Sequence, residues 1–343
     1  MRRRSQPTRV DRTTGRSLYF VGPRAARVED RAVPDPGPDE VLVETRASLV
    51  SAGTELLVYR GNAPTDLPAD ETIDALAGDL SFPLRYGYAA VGEVAAVGEA
   101  VETEWAGRRV FAFNPHETRF VADPASLHPL PEGVGVEAAT FLPNVETAVN
   151  LVHDANPRLG ERVVVLGAGV VGLLTTALLA RFPLSRLTVV DPLESRRGRA
   201  RAVGADETVS PADARETLDG DADAVLELSG SPATLDDAVT HVGYDGRVVV
   251  GSWYGRKRAP VDLGGRFHRS RVSLVSSQVS TIDPALRGRW TKERRLGVAW
   301  DRLCDLDPAG LVTHRIPFEE APRAYDLLDD GATDALGVLF TYD

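Results

Sequence analysis

Hydrophobic and polar positions divide the chain into two patterns. From Ser17 to about Pro143, short β-rich runs alternate with glycine and proline punctuation, as in EVLVETRASLVSAGTE, GYAAVGEVAAVG and RRVFAF. Short strands broken by turn residues predict a compact β-rich unit. The polar, proline-bearing stretch GNAPTDLPADETIDALAGDLSFPL between them predicts a long surface excursion, beside a site or simply a loop. From about Asn144 the pattern changes to apolar runs alternating with amphipathic stretches. Strands are predicted at 162–167, 187–191, 207–209, 224–228, 247–250 and 272–276, with helices at 170–181, 195–203, 211–218 and 232–242. Six strands with intervening helices make a doubly wound parallel α/β sheet, with ligand expected at the carboxyl ends of its strands. Beyond about Ser280 the regularity ends, except for a helix at 319–329 and a last strand at 337–342 that returns toward the first unit.

Composition narrows what such a chain does. At 343 residues it exceeds one ordinary core, so two domains are expected, and 43% hydrophobic residues suffice for both. Fifty acidic against 39 basic residues leave a net charge of −11, which argues against a nucleic-acid surface and against an anionic membrane as partner. Only Lys257 and Lys292 are lysines. An acidic, lysine-poor surface suits high salt and predicts a halophilic protein, although GC-rich coding produces the same arginine bias. Cys304 is the single cysteine, which excludes an internal disulfide or a thiolate metal cluster and predicts a cytoplasmic setting. No run reaches the ~20 apolar residues of a membrane span. The opening MRRRSQPTRVDRTTGR lacks the apolar segment of a secretory signal, and reads as a flexible basic arm or an over-long start.

The densest chemistry lies in VVVLGAGVVGLLTTALLARFPLSRLTVVD, residues 163–191. Strand, Gly167-x-Gly169-x-x-Gly172, helix, second strand and terminal acid follow in the order of a dinucleotide-binding fingerprint. Gly167 allows the tight turn, Gly169 lets backbone approach a pyrophosphate, and Gly172 lets helix and strand pack closely. Val170 and Val171 open the helix whose unpaired N–H groups favour an anion. Asp191, about 20 residues beyond, is placed to accept from both ribose hydroxyls and to repel a 2′-phosphate. NAD(H) is therefore expected over NADP(H). Arg196 and Arg197 follow the acid within a turn and could reach a 2′-phosphate, so NADP stays possible.

Further motifs extend the pattern over nearly the whole chain: Gly53-Thr54-Glu55, Gly87-Tyr88-Ala89-x-x-Gly92-x-Val94, and Glu227-x-Ser229-Gly230 ahead of Gly246-Arg247-Val248-Val249-x-Gly251. With the glycine fingerprint, they resemble the medium-chain dehydrogenase/reductase superfamily, the zinc alcohol dehydrogenases and their zinc-free relatives. The resemblance implies a β-rich GroES-like catalytic domain built from 17–143 and 281–343, a Rossmann domain over 144–280, and an arm over 1–16. It also implies hydride transfer on a small-molecule substrate, with Ser229, Gly230, Gly251 and Ser252 bordering the nicotinamide, and a homodimer formed through the edge of the nucleotide sheet.

The departures from that pattern bear on chemistry. Zinc-bearing members have Cys-Gly-Thr-Asp where this chain has Ala52-Gly53-Thr54-Glu55, and Gly-His-Glu where it has Gly87-Tyr88-Ala89; the third ligand position falls near Pro143. Zinc needs three N, S or O ligands, so no zinc is expected. Nor does any spacing support a substitute metal site from Glu55, His116 and Glu146. The resemblance then assigns proton transfer to Thr54. Tyr88 either donates to a carbonyl oxygen or fills the vacated space, and Glu55 orients the site. His116, in FAFNPHETRF, either touches substrate or sits in a surface loop, while Glu146 either faces the cleft or lies on a helix surface. SLVSAGTE, ETAVNLV and SSQVSTIDP with Arg289-Trp290 resemble a zinc-free subgroup that includes bacteriochlorophyllide hydroxyethyl dehydrogenases. Arg287, Arg289, Arg294 and Arg295 are expected on an exposed helix unless they pair with a ligand anion. The expected activity is zinc-independent hydride exchange between NAD(H) and a secondary alcohol or ketone; enone or quinone reduction and non-catalytic nucleotide binding are the alternatives.

Overall fold

A computed structural model describes residues 14–70, 72–331 and 334–343. The predicted arm lies outside the described residues up to position 13, but Thr14–Arg16, assigned to it, begin a strand. The first part of the chain forms β1 (Thr14–Gly22), β2 (Ala25–Ala32), β3 (Val41–Leu49), α1 (Ala52–Tyr59), β4 (Leu84–Arg85), β5 (Ala90–Val97), β6 (Arg109–Ala112), β7 (Arg119–Ala122) and β8 (His128–Pro129). Helices α2 (Val136–Ala139) and α3 (Leu142–Ala155) lead into β9 (Arg162–Leu166), α4 (Val170–Leu179), β10 (Arg186–Val190), α5 (Glu194–Ala202), β11 (Glu207–Val209) and α6 (Pro211–Thr217). There follow β12 (Ala222–Glu227), α7 (Thr234–His241), β13 (Val242–Val250), α8 (Arg266–Arg269) and β14 (Ser273–Ser276). The chain closes with α9 (Lys292–Leu306), β15 (Val312–Pro317), α10 (Ala321–Asp330) and β16 (Gly337–Thr341).

The six predicted strands of the second pattern form one sheet in the order β11-β10-β9-β12-β13-β14, with every neighbouring pair parallel. A parallel sheet is covered on both faces, which is why its strands read as continuous apolar runs. Alternate residues go to opposite sides. Val163, Val165, Leu187, Val189 and Leu226 join the core with α3, α4 and α9, and Val164, Leu166, Val190, Val225 and Val248 join the one with α6 and α7. The strand order reverses between β9 and β12, a topological switch point whose carboxyl ends carry Gly167 and Ser229.

The β-rich unit has both ends of the chain in one sheet, β15-β16-β3-β5-β6-β8, with β7 also paired to β3. The predicted last strand pairs antiparallel with β3, setting Phe340 opposite Ser48. A second sheet, β2-β1-β4, packs Leu18 and Phe20 against Tyr59 and Tyr325. The stretch read as a surface excursion is anchored in that core by Ala63, Leu76 and Leu80.

Beyond residue 280 the expectation of irregular chain fails. Helix α9 carries Ala299 and Leu303 at helical spacing and buries them in the core shared with α3 and α4. It packs on α3, and its Trp300 also meets Phe111 of β6 edge-on. No helix among the described residues is long and apolar enough to cross a membrane.

Candidate active site

The turn from β9 into α4 is built by its glycines. Gly167 has φ +105°, and a Cβ there would lie 2.7 Å from the Leu228 carbonyl oxygen, so the loops after β9 and β12 touch. Gly172 is tighter still, since a Cβ would stand 2.0 Å from the Gly167 oxygen. Gly169, which caps α4, meets nothing within 4 Å and leaves open space above the helix N-terminus. Val170 and Val171 begin that helix, where the first four N–H groups have no intrahelical acceptor. This is the shape and charge a pyrophosphate fits.

Asp191 follows the end of β10 and is buried, at 3% exposure. Its Oδ2 accepts from Ala168 N at 2.8 Å and its Oδ1 from Leu193 N at 2.9 Å, so the carboxylate is fixed against the glycine turn. Arg196, placed by the sequence where it could reach a 2′-phosphate, is engaged elsewhere. Its Nε donates to Asp334 Oδ1 at 3.2 Å and its Nη2 to the Ala335 carbonyl at 3.0 Å. Arg197 donates to Glu194 and to the Asp191 and Pro192 carbonyls. Both guanidiniums are thus spent on protein acceptors.

At the end of β12, the fully buried Glu227 receives the Ser229 N–H at 2.9 Å, the Ser229 hydroxyl and the Tyr254 hydroxyl. Burial first, and the Glu227 bond second, push the Tyr254 phenol up. Gly230, at φ +73°, donates its N–H to Ser252 Oγ at 2.9 Å. A Cβ on Gly251 would press on Leu228 and Leu151, at 2.6 and 2.7 Å. Ser229, Gly230, Gly251 and Ser252 therefore form one rim. Gly255 and Arg256 carry that rim across to the turn after α1, where Arg256 N donates to the Asn62 carbonyl at 2.8 Å.

On the facing side, α1, the segment before β5 and the β6–β7 connection bring four of the five candidate catalytic residues together. Tyr88 donates to Ser51 Oγ at 2.5 Å and lies 3.3 Å from Thr54 Oγ1. Burial is the main reason its phenol is pushed up to about 12. Behind it, Glu55 accepts from Ser51 N at 2.7 Å, from Tyr325 Oη at 2.6 Å, and lies 3.1 Å from His116 Nε2. His116 is 0% exposed, against the expectation that it touches substrate or sits in a surface loop. Its ring stands edge-on to Phe340 and fills the space over Gly87, where a Cβ would come within 2.5 Å of it. That contact is a reason for glycine at 87.

Glu146 does not join this group. It lies on α3, nearly buried, with Oε1 accepting from Arg295 Nε at 3.1 Å and Nη2 at 2.9 Å. Burial raises its carboxyl and Arg295 opposes the rise. Arg295, expected on an exposed helix, is 0% exposed; its remaining donors reach Asn150, Thr281 and Val279. The segment 277–283 is thereby pinned to α3 and α9.

The zinc positions of the resembling proteins are filled by groups that do not fit the ion. Ala52 and Pro143 carry no donor atom, and the Tyr88 hydroxyl is engaged by Ser51 and Thr54. Ser48, Ser51, Tyr325, Tyr342, Glu227 and Tyr254 also belong to these networks and were given no role. Ser48, Ser51 and Glu227 had a signal, since they stand in SLVSAGTE and Glu227-x-Ser229-Gly230; the three tyrosines had none.

Comparison with known proteins finds dehydrogenases. A family model described as zinc-binding dehydrogenase matches residues 170–293. The chain is 26% identical over 338 residues to D-guloside 3-dehydrogenase of Escherichia coli, covering 90% of this chain and 95% of that protein. It is 24% identical over 360 residues to sorbitol dehydrogenase of Ovis aries, covering 92% and 93%. Among solved structures, one described as a short chain alcohol dehydrogenase from Escherichia coli CFT073, complexed with NADH, superposes with TM-score 0.77 at 20% identity, covering 96% of this chain and 99% of that one. The shared fold and these likenesses along most of the chain support an oxidoreductase that acts on CH–OH groups, similar to the zinc-binding, alcohol-dehydrogenase-like enzymes.

Proposed function

We propose that this protein is a zinc-independent, NAD(H)-dependent dehydrogenase that exchanges hydride with a carbon bearing a secondary hydroxyl, on a polyol or glycoside. The observation that carries the reading is the hydroxyl cluster of Tyr88, Ser51 and Thr54 in a dehydrogenase fold, with Tyr88 at the position of a zinc ligand in the resembling proteins. The names of the relatives, a guloside and a sorbitol dehydrogenase, support the substrate class. The α4 N-terminus receives the pyrophosphate and Asp191 the adenosine ribose through its remaining lone pairs. A bound nicotinamide supplies the hydride donor or acceptor. Tyr88 stays protonated over the working pH range, its phenol being pushed up to about 12, and donates to the substrate oxygen. Ser51 and Thr54 orient that phenol. Preference for NAD(H) rests on Asp191 together with the engagement of Arg196 and Arg197 by protein acceptors.

Assay of the purified protein with NAD+ and NADP+ against polyols, methyl glycosides and simple secondary alcohols tests the reading. Turnover with NAD+ that survives exhaustive chelation is expected. Activity lost on chelation and restored by Zn2+ overturns the zinc-independent chemistry. A homodimer through β14 belongs to the same proposal: it is the outermost strand of its sheet and leaves Leu274 45% exposed. A sedimentation mass near the 36.9 kDa of one chain removes it.

A further inference from the structure

We infer that Glu55, His116, Ser48 and Tyr342 form a proton path through the β-rich unit, from the Tyr88 hydroxyl cluster to a surface cavity behind it. The inference rests on the dehydrogenase reading above. His116 Nε2 lies 3.1 Å from Glu55 Oε2, His116 Nδ1 lies 2.7 Å from Ser48 Oγ, and Ser48 Oγ lies 2.7 Å from Tyr342 Oη. Glu55, His116 and Ser48 are 0% exposed, so these contacts are sealed from solvent along their length. Tyr342 ends the series on the wall of an open cavity of about 270 Å3 that Arg16, Arg46, Arg119 and Glu319 also line. At the other end Ser51 serves both sides, holding Glu55 Oε1 through its N–H at 2.7 Å and accepting from Tyr88 on its hydroxyl.

One arrangement of the hydrogens satisfies the whole series. Glu55 accepts from Ser51 N, Tyr325 Oη and His116 Nε2. His116 Nδ1 is then an acceptor, Ser48 donates to it, and Tyr342 donates to Ser48. Every hydrogen points at Glu55. The other ionisable groups facing the path are Tyr86, Tyr88 and Asp70 near the Glu55 end, and Glu117 and Glu319 near Tyr342. A network that only satisfied buried polar atoms would not need to run from a hydroxyl at the site to a residue that lines an open cavity.

During ketone reduction the carbon takes hydride and the oxygen takes the Tyr88 proton. Ser51 gives its hydroxyl proton to the Tyr88 oxygen. His116 Nε2 gives its proton to the Glu55 carboxylate as Nδ1 takes that of Ser48, and the protonated Glu55 passes it to the Ser51 oxygen, brought to it by rotation about the Cα–Cβ bond. Ser48 takes the proton of Tyr342, and Tyr342 takes one from bulk water. One proton is drawn in for each one delivered, and alcohol oxidation runs the series in reverse.

Tyr342→Phe keeps the ring that stacks on Phe318 and removes only the hydroxyl. It is expected to lower kcat about tenfold or more, with KM and NADH affinity unchanged, and Ser48→Ala likewise, with partial rescue by added imidazole. A second measurement needs no turnover: exchange of the His116 ring N–H with solvent, followed by NMR. Exchange is expected to be fast for so buried a proton in the wild-type protein and about tenfold or more slower in Tyr342→Phe. If the wild-type protein moves no hydride on any alcohol or ketone, the dehydrogenase reading falls and the exchange rate alone decides the path. Exchange that Tyr342→Phe leaves unchanged overturns it, whatever the activity.

Discussion

Arg295 is fully buried and sets two of its nitrogens, Nε and Nη2, on the same oxygen of Glu146, at 3.1 and 2.9 Å. Its other N–H groups reach Asn150 Oδ1 and the carbonyls of Thr281 and Val279, so all five donors are satisfied. Breaking such a pair by removing one partner leaves a buried charge uncompensated, at a cost of about 3–5 kcal/mol. Arg295→Met is expected to lower the urea midpoint accordingly. Arg295→Met with Glu146→Leu should recover most of the loss, and a double variant no better than the single one contradicts the assignment.

The residues that misled the sequence reading were those whose partners come from far along the chain. The parallel sheet was legible because both its faces are covered, which turns its strands into apolar runs, and because glycines mark where β9 turns into α4. His116 sits in a polar Asn-Pro-His-Glu context that looks like a surface loop; its burial comes from the missing Cβ of Gly87 and from Phe340 on the last strand. Arg196 follows the acid as a phosphate ligand would, but its acceptors, Asp334 and Ala335, lie near the C-terminus. Arg295 belongs to a charged segment that reads as an exposed helix, because Ala299 and Leu303 are its only fully buried apolar residues. Local pattern reports backbone periodicity, and none of these contacts is local.

Asp191→Ala is expected to weaken NADH about tenfold or more, the scale of a lost bond to a charged acceptor. NADPH should be affected less, because the same change removes a carboxylate that repels the 2′-phosphate. Arg196→Ala, by contrast, should leave the ratio of NADH to NADPH affinity where it was, since its guanidinium is held by Asp334 and Ala335. Fluorescence titration of both cofactors reads both variants. A drop in NADPH affinity on removing Arg196 would restore that residue to the nucleotide site.

Gly172→Ala tests the close approach of α4 to its own entering turn. The added methyl would stand 2.0 Å from the Gly167 oxygen, and backbone is what must yield. Overpacking of this kind costs about 1–3 kcal/mol. Thermal unfolding should show that loss, with weakened nucleotide binding as the turn is displaced. Gly169→Ala meets no protein atom within 4 Å, so it should spare stability and impair NADH binding alone.

Acid should destabilise the fold through its histidines. Burial is the first cause that lowers His128, His153 and His241 below the ordinary value of 6.5, with Arg295 and Arg294 adding to the effect at His153. The unfolded chain therefore takes up protons near pH 6.5 that the folded chain refuses. Stability contributed by the neutral rings is complete above that value and is lost as pH falls from it toward the folded-state values. Urea midpoints should fall between pH 7.5 and 5.5. His241, whose Nδ1 is buried without a hydrogen-bond partner, makes the sharpest probe. His241→Leu should make the slope shallower, and an unchanged slope would remove it from the account.

Tyr88→Phe separates the hydroxyl's chemistry from the space the ring fills. The phenol donates to Ser51 at 2.5 Å, and Thr54 lies 3.3 Å away, so the substitution removes one oxygen while leaving the aromatic packing against Tyr86 in place. If the ring merely fills the space of a missing ion, turnover should change little. If the hydroxyl donates to the substrate oxygen, kcat should fall by about 10²-fold or more, the usual worth of a positioned acid, with NADH affinity unaltered. The pH profile adds an independent check. With the phenol pushed up to about 12, Tyr88 keeps its proton across the neutral range, so any inflection in kcat below about pH 10 belongs to another group and should persist in the phenylalanine variant's residual rate. An inflection that vanishes with the hydroxyl would mean that Tyr88 itself titrates there, and that the hydrogen bonds to Ser51 and Thr54, which favour the phenolate, outweigh its burial.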